Sequence, residues 1–245
     1  MAPAYCVCWL PRRGSTAQEY EDAFAGNAAT GRYAVADGAS ESAFAGLWAR
    51  LLVDEFVHSA PLNADRWKAC LGTLQERCQE KIAERPLPWY AEAKLAQGAF
   101  ATLLGVAVTA AAGDEPHWQA LAVGDTCLFH TRGGDVLRAF PLEHSSQFNS
   151  GPKLVGSRTA PPEICDRKTR WTQGTGRTHD RLWLMTDALA QWCLAQGEAG
   201  RNPWNELESV LARPKLELQF AAWIEELRAT RQLHNDDVTL LAVRM

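Results

Sequence analysis

The sequence predicts one α+β domain in which antiparallel sheets are flanked by helices. Strand-like apolar runs follow one another at short spacing through the middle of the chain, and segments with helical spacing of apolar residues stand on both sides of them. The 245 residues are enough for one large domain, and a hydrophobic content of 47% is ample for its core. We therefore expect a single domain that spans residues 1–245.

The first third of the chain predicts three strands followed by two helices. The strands are short apolar runs bounded by Gly, Pro or charged residues, and the helices have apolar residues three and four positions apart. Pro86 and Pro88 end the second helix. The predicted strands cover residues 5–9, 19–26 and 33–37, and the predicted helices cover residues 43–59 and 63–84.

The second and third strands are predicted to form an antiparallel hairpin that folds about residues 29 and 30. In this register Asp22 lies opposite Asp37 and Glu21 lies opposite Gly38, so that three carboxylates meet at one rim. Gly38 permits a tight exit with positive φ and leaves its carbonyl uncovered beside Asp37. Oxygen ligands arranged in this way suit a hard divalent cation. An isolated Asp-Gly pair would indicate only a turn.

The rest of the chain predicts further strands, one long surface segment and a helical section. Short turns at residues 124–125 and 132–135 join consecutive strands. Residues 144–171 are polar and show little periodicity, which favours a surface flap that borders a cleft. The predicted strands cover residues 99–110, 117–123, 126–131, 136–141, 181–186 and 238–244, and the helical section covers residues 188–194 and 204–233.

Composition and charge exclude several classes of function. The formal charge is -4 and the 25 Lys and Arg residues are scattered, so we expect no nucleic-acid partner. The longest apolar stretch, residues 98–113, is shorter than the roughly 18 residues of a membrane span, and no basic region precedes the first apolar residues as in a secretory signal. Seven cysteines without a CxxC pair favour reduced thiols. We expect a cytoplasmic protein without a membrane partner.

Four aspartates each stand where an apolar strand meets a turn, namely Asp37, Asp125, Asp187 and Asp236. If the strands next to Asp187 and Asp236 are antiparallel, the end of one coincides with the start of the other, and these two carboxylates share a rim. Carboxylates grouped in this way repel one another strongly unless cations bind. Two divalent ions about 3.5–4 Å apart would resolve the repulsion and hold a bridging water for in-line attack on phosphorus.

Five short motifs fall in the order seen in one known family. They are Glu21-Asp22-Ala23, Val35-Ala36-Asp37-Gly38, Ala122-Val123-Gly124-Asp125-Thr126, Thr186-Asp187 and Asn235-Asp236-Asp237-Val238-Thr239. In this order the sequence resembles, over nearly its entire length, the type-2C, metal-dependent (PPM-type) protein serine/threonine phosphatases of the bacterial single-domain kind. The resemblance implies a four-layer α-β-β-α sandwich of two antiparallel sheets between helices, with metals in a cleft at one edge.

The resemblance also implies a set of metal ligands. By position, Asp37 would bridge two Mn²⁺ or Mg²⁺ ions. Asp187 and Asp236 would hold the first ion, and Glu21 with the Gly38 carbonyl would hold the second. These are the oxygen ligands that hard divalent cations prefer.

Two further aspartates have implied roles, and one expected arginine is missing. Asp22 would orient bound water, so that Asp37 and Asp22 are the expected catalytic residues. Asp125, together with the Asp187 position, matches a weaker third metal site. The family usually has an arginine that grips the substrate phosphate four residues before its first glutamate, and this chain has Ala17 there. Arg12 or Arg13 of the same loop would have to substitute.

The implied function is that of a cytoplasmic phosphatase acting on a phosphoprotein made by a Ser/Thr kinase. A metal-bridging water would attack phosphoserine or phosphothreonine. Two alternatives stay open, and Ala17 and Ala188, which replace an arginine and a glycine of the family, motivate the first of them; residues 39–42 also replace a segment with glycines. One is a pseudophosphatase that keeps the fold as a binding or regulatory module. The other is a metal-dependent hydrolase of small phosphoesters.

Overall fold

The computed structural model describes residues 4–58, 63–84, 98–109, 115–148, 151–158 and 169–245. The strands in these ranges are β1 (Ala4–Leu10), β2 (Ala23–Asn27), β3 (Arg32–Ala36), β4 (Phe100–Ala101), β5 (Leu103–Thr109), β6 (His117–Val123), β7 (Cys127–Arg132), β8 (Asp135–Phe140), β9 (Val155–Gly156), β10 (Arg170–Thr175), β11 (Arg181–Met185) and β12 (Val238–Arg244). The helices are α1 (Ala45–His58), α2 (Ala64–Ala83), α3 (Asp187–Glu198), α4 (Pro203–Leu211) and α5 (Leu216–Ala229). Pro86 and Pro88, which were predicted to end α2, lie outside the described residues.

The strands form two five-stranded antiparallel sheets. The first sheet has the order β1-β12-β11-β7-β8, and the second sheet has the order β10-β6-β5-β3-β2. The short strands β4 and β9 pair with each other, and Ala101 of β4 also forms an isolated bridge with Gly38. In the ranges that the structure describes, no helix combines the length and apolar character needed to cross a membrane.

The central strands are buried on both faces, which explains why they read as continuous apolar runs. In β11, Leu182 and Leu184 pack against the second sheet, whereas Trp183 and Met185 pack beneath α3, α4 and α5. On the other side, α1 and α2 cover the outer face of the second sheet. The layers therefore run helix, sheet, sheet, helix, and the predicted four-layer α-β-β-α sandwich is confirmed.

Two predicted strand pairings position the acidic residues, and both are confirmed. In the hairpin of β2 and β3, Ala23 pairs with Ala36 and Asn27 pairs with Arg32. The same register, continued beyond the hairpin, sets Asp22 opposite Asp37. In the first sheet β11 is antiparallel to β12, with Met185 opposite Leu240. The end of β11 and the start of β12 therefore lie at the same end of the sandwich.

The turn at residues 124–125 does not join neighbouring strands of one sheet. It connects β6 in the second sheet to β7 in the first sheet. The sequence could not show this, because a tight turn between two apolar runs looks the same in a hairpin and in a crossing between layers. The consequence is that Asp125 lies at the rim between the two sheets.

Two other segments differ from the sequence prediction. The strand predicted over residues 99–110 is divided into β4 and β5 in its described part, because the chain breaks at Thr102, whose backbone N–H donates to the Asp37 carbonyl, and residue 110 lies outside the described residues. Arg170 and Trp171, predicted as part of the flap, begin β10. This strand lies at the edge of its sheet and consists mostly of polar residues, so the sequence shows no apolar periodicity there. Residues 149–150 and 159–168 of that segment lie outside the described residues, and the flap remains a prediction.

At the opposite end of the sandwich, the buried Asp180 holds three segments together. Arg132 donates two hydrogen bonds of 2.8 Å to its carboxylate, His130 Nε2 lies 2.9 Å from Oδ2, and the Arg177 backbone N–H donates at 2.8 Å. Burial alone would raise the pKa of Asp180, but these hydrogen bonds outweigh it and lower the pKa to about 2. The charged form of Asp180 therefore stabilises the folded chain.

We expect Asp180→Asn to lower the free energy of unfolding by about 2 kcal/mol at neutral pH, in proportion to its pKa shift. Because the folded pKa lies below that of the unfolded chain, the stabilisation is present above pH ~4 and is lost as the pH falls towards 2. Urea denaturation between pH 7 and pH 3 measures both effects. Asp135→Asn, at an exposed position of β8, is the matched control. Equal losses in the two variants would contradict this role of Asp180.

Candidate metal centre

The predicted acidic residues lie at one end of the sandwich. Asp37 follows β3, and Asp125 lies between β6 and β7. Asp187 begins α3 immediately after β11, and Asp236 precedes β12. Glu21 and Asp22 precede β2 and join the same rim through the hairpin. The topology thus brings all six predicted carboxylates to one edge of the two sheets.

Asp37 is held by its backbone and surrounded by other carboxylates. Its N–H donates to Thr102 Oγ1 at 2.9 Å, and its carbonyl accepts the Thr102 N–H at 2.8 Å. The hydroxyl of Thr102 in turn lies 2.5 Å from that of Thr126. The pKa of Asp37 is raised well above its usual range, first by burial and then by the neighbouring acidic groups Asp22, Asp187, Asp236 and Asp125. The carboxylates are therefore close enough to repel one another.

Asp22 is only 2% exposed and depends on a threonine for its orientation. Thr239 Oγ1 donates to Asp22 Oδ2 at 2.7 Å, and the Thr239 N–H donates to Thr186 Oγ1 at 2.9 Å. Burial raises the pKa of Asp22 well above its usual range, and the Thr239 hydrogen bond only partly offsets this. A threonine at the second position of an otherwise largely apolar strand was the sequence signal for this role, and the sequence prediction did not use it.

Asp125 and Asp187 are perturbed for similar reasons. Burial, followed by smaller effects that include the charge of Asp236, raises the pKa of Asp125 to about 6. Burial and then the charges of Asp125 and Asp236 raise the pKa of Asp187 to about 7. Asp187 Oδ1 accepts the Ala188 N–H at 2.5 Å, whereas the buried Oδ1 of Asp125 has no hydrogen-bond partner.

Glu21 and Gly38 meet where three chain segments approach closely. A Cβ atom at Gly38 would lie 2.7 Å from the Glu21 carbonyl oxygen and 2.9 Å from the Ala45 carbonyl carbon, so only glycine fits. Gly38 is not among the positive-φ residues of the described chain, so close approach, rather than the predicted positive φ, requires the glycine. The buried Glu21 Oε2 accepts no hydrogen bond.

Asp237 is a site residue that sequence reasoning missed. It is 5% exposed, and its two carboxylate oxygens accept backbone N–H groups at 2.8 Å, one from Arg12 and one from Glu21. It therefore links the loop that carries Arg12 to the segment that carries a predicted metal ligand. The pair Asp236-Asp237 is visible in the sequence, but nothing local shows that the second aspartate faces residues more than 200 positions away.

The structure brings Arg12, and not Arg13, to the acidic cluster. Arg12 Nη2 lies 3.7 Å from Glu21 Oε2, and its guanidinium donates to Ser40 Oγ at 2.7 Å and to Ser15 Oγ at 3.2 Å. Arg13 instead forms an ion pair with Glu225, and its backbone N–H donates to an asparagine side chain. The two arginines therefore point to different sides of the loop.

The donor set fits hard divalent cations. Among the residues that the structure describes, no three His, Cys, Asp or Glu side chains are grouped tightly enough to form a ready-made metal site. The ligand chemistry nevertheless suits Mn²⁺ or Mg²⁺: all donors are oxygens, and Glu21 Oε2 and Asp125 Oδ1 are buried without hydrogen bonds. The carboxylates also repel one another, which a cation would relieve.

Comparisons with known proteins agree on one family. The model of the family described as Protein phosphatase 2C matches residues 12–235. No curated protein matches the chain significantly.

Solved structures match over the whole chain. Serine/threonine phosphatase Stp1 from Staphylococcus aureus has a TM-score of 0.63 and 13% identity, and the match covers 100% of this chain and 96% of that one. PppA, described as a regulatory component of T6SS in Pseudomonas aeruginosa, has a TM-score of 0.59 and 16% identity, and the match covers 100% of this chain and 98% of that one. The catalytic domain of the phosphatase PstP, in complex with two manganese ions, has a TM-score of 0.61 and 14% identity, and the match covers 99% of this chain and 98% of that one. At these identities the likeness shows the fold alone.

Proposed function

Because this chain belongs to the protein phosphatase 2C family, we propose that it is a metal-dependent phosphatase of phosphoserine and phosphothreonine in proteins. The observation that carries the proposal is the buried carboxylate cluster at the rim, with two oxygens left without hydrogen-bond partners and one arginine beside it. Such a cluster is costly unless it binds cations. Its substrate would be the product of a Ser/Thr kinase. The six described cysteines are unpaired, which supports a cytoplasmic setting.

We assign the metal ligands as the sequence predicted them. Asp37 would contact both ions, Asp187 and Asp236 the first, and Glu21 with the Gly38 carbonyl the second. Asp125 would hold a weaker third ion with Asp187. Such ions would supply a water activated for attack on phosphorus and would neutralise charge on the phosphoryl group.

The other residues of the site bind and orient. Asp22 orients the attacking water, and the hydrogen bond from Thr239 keeps its carboxylate in place. Arg12 grips the phosphate oxygens, because a guanidinium binds phosphate through two parallel hydrogen bonds. Asp237 sets the distance between Arg12 and Glu21 by binding the backbone of both.

Two departures from the family pattern compensate for each other, which favours an enzyme over a pseudophosphatase. Ala17 removes the usual phosphate-binding arginine, and Ser40 stands in the segment where the family has glycines. Ser40 Oγ accepts a hydrogen bond from Arg12 and so holds the substitute arginine beside Glu21. A chain that had lost catalysis would have no need to keep a guanidinium at this place.

We expect Arg12→Ala to lower kcat/KM for a phosphothreonine peptide by about 10- to 100-fold, mainly through KM. A hydrogen bond to a charged group contributes about 1.5–3 kcal/mol, and part of it is gained only in the transition state. Arg13→Ala is the matched control and should change kcat/KM by less than about twofold, because Arg13 pairs with Glu225 instead. Steady-state kinetics with Mn²⁺, on the peptide and on an aryl phosphate, measure these effects.

Three results would change the proposal. If neither arginine matters and Ala17→Arg produces a large gain, the native site lacks a phosphate clamp and the regulatory-module alternative is favoured. If every variant binds Mn²⁺ but hydrolyses nothing, the phosphatase assignment is wrong and only the fold stands. If the aryl phosphate is hydrolysed and phosphopeptides are not, the chain is a small-phosphoester hydrolase.

A further inference from the structure

We infer that Arg50 of α1 forms, together with Arg12, a subsite that binds an acidic side chain next to the phosphorylated residue of the substrate. The inference deepens the proposed phosphatase function and rests on it. It begins from a pocket of about 320 Å³ on the Glu21 side of the metal centre. Its lining includes Arg12, Tyr20, Glu21, Ser40, Gly46 and Arg50. The pocket therefore continues the candidate active site towards α1.

Gly46 leaves room for Arg50 next to the segment that carries Glu21. A Cβ atom at Gly46 would lie 3.3 Å from the Glu21 Cα, 3.4 Å from the Tyr20 carbonyl oxygen and 3.5 Å from Arg50 Nη1. The Arg50 side chain therefore extends back over the preceding turn of α1, so that Arg50 Nη1 and the Glu21 Cα both lie within 3.5 Å of the position that this Cβ would take. This direction is the one expected for long side chains on a helix.

The two arginines approach Glu21 from different chain segments. Arg12 comes from the loop after β1, and its Nη2 lies 3.7 Å from the Glu21 carboxylate. Arg50 comes from α1 and lines the same pocket as Glu21. With Glu21 engaged by a cation, both guanidiniums are left to meet anionic groups of the substrate.

Arg50 is exposed and uncommitted within the described part of the chain, where no hydrogen bond or ion pair involves its side chain. Glu19 also lines the pocket, but its carboxylate accepts the Thr16 N–H at 2.8 Å and the Thr16 hydroxyl at 3.0 Å. Among the residues that the structure describes, no side chain thus neutralises Arg50 directly. A free arginine that faces a binding cleft binds carboxylates well, since its planar fork matches two oxygens.

The positions of Arg12 and Arg50 suit them to different groups of the substrate. Arg12 is fixed by Ser15 and Ser40 and suits the phosphate, which must be placed accurately. Arg50 lies farther along the pocket and is flexible and solvated. It suits a side chain of the peptide rather than the reacting group. An acidic residue one or two positions from the phosphorylated residue lies about 3–7 Å farther along an extended peptide.

The test uses three phosphothreonine peptides that differ only in the residues flanking the phosphothreonine, which are Glu, Gln or Lys. We expect the native chain with Mn²⁺ to show a kcat/KM about three- to fivefold higher for the Glu peptide than for the Gln peptide, the range of a partly exposed ion pair. The preference should weaken as salt is raised. Arg50→Ala should abolish the preference, and Arg50→Glu should reverse it in favour of the Lys peptide. Arg213→Ala, an exposed arginine elsewhere, should leave it unchanged.

Failure of this inference is distinct from failure of the proposed function. If the native chain hydrolyses all three peptides equally, or if Arg50→Glu keeps the preference for Glu, the subsite is disproved while the phosphatase stands. If no peptide is hydrolysed, the phosphatase assignment fails. In that case, calorimetry measures the binding of the same peptides with a phosphonate in place of the phosphate. This measurement tests the subsite independently of hydrolysis. Equal affinities for the Glu and Lys peptides would disprove it there too.

Discussion

Replacing Asp37 with Asn lowers the hydrolysis of a phosphothreonine peptide by on the order of a thousandfold while the chain stays folded. Mutation of a residue that only supports a metal ligand through a hydrogen bond already lowers metal affinity or activity by about 10- to 100-fold. Asp37 is itself a proposed ligand and would contact both ions. The fold should survive, because the backbone of Asp37 keeps its two hydrogen bonds to Thr102. Turnover at saturating Mn²⁺ and circular dichroism measure the two effects.

The same substitution should stabilise the metal-free chain. Asp37 is buried among carboxylates that raise its pKa, so its charge opposes folding when no cation is bound. A gain of about 1 kcal/mol would raise Tm by about 2–4 °C in a chain of this size. Asp54→Asn, at an exposed position of α1, is the control and should leave Tm unchanged. A lower Tm for metal-free Asp37→Asn, or near-normal turnover, would show that Asp37 has been assigned wrongly.

Removal of divalent metal should abolish activity, and Mn²⁺ or Mg²⁺ should restore it. The same ions should stabilise the folded chain, because a ligand at about 100 times its Kd adds roughly 2.7 kcal/mol to the free energy of unfolding. In this chain that corresponds to a rise in Tm of about 5–10 °C. Thermal melts and turnover, each measured in excess chelator and after adding back metal, test both statements. Full turnover in excess chelator would refute the two-metal assignment.

Variants at the proposed ligands make the metal prediction specific. Asp236→Asn should remove most of the stabilisation by Mn²⁺ along with the activity. Asp125→Asn should keep most of the stabilisation, since Asp125 is proposed to serve only a weaker third ion. Asp135→Asn, far from the site on β8, should keep both properties. If Asp236→Asn is stabilised by Mn²⁺ as strongly as the native chain, Asp236 is not a ligand of the first ion.

The fold and the rim could be predicted because their signals are local. Strands that are buried on both faces appear as unbroken apolar runs, and four aspartates stand where such runs meet turns. The turn between β2 and β3 determined the hairpin register, so the pairing of Ala23 with Ala36 followed from the sequence. Strand β10 was not predicted, because it is a polar edge strand and only its pairing with β6 identifies it as a strand.

The sequence patterns by themselves determined that this chain has antiparallel sheets flanked by helices and carboxylates at one rim, and the resemblance to a phosphatase family implied the four-layer α-β-β-α arrangement. Apolar periodicity and turn residues act between near neighbours, and they specify strands, helices and strand ends. The tertiary structure alone decided that Arg12, rather than Arg13, approaches Glu21, and that Asp237 binds both segments. Arg12 and Arg13 stand in a turn that the Ser15 N–H closes onto the Arg12 carbonyl, and only contacts with Ser40 and with Glu225 determine which arginine faces the rim. Those contacts join residues 28 and 212 positions apart, and no local pattern records them.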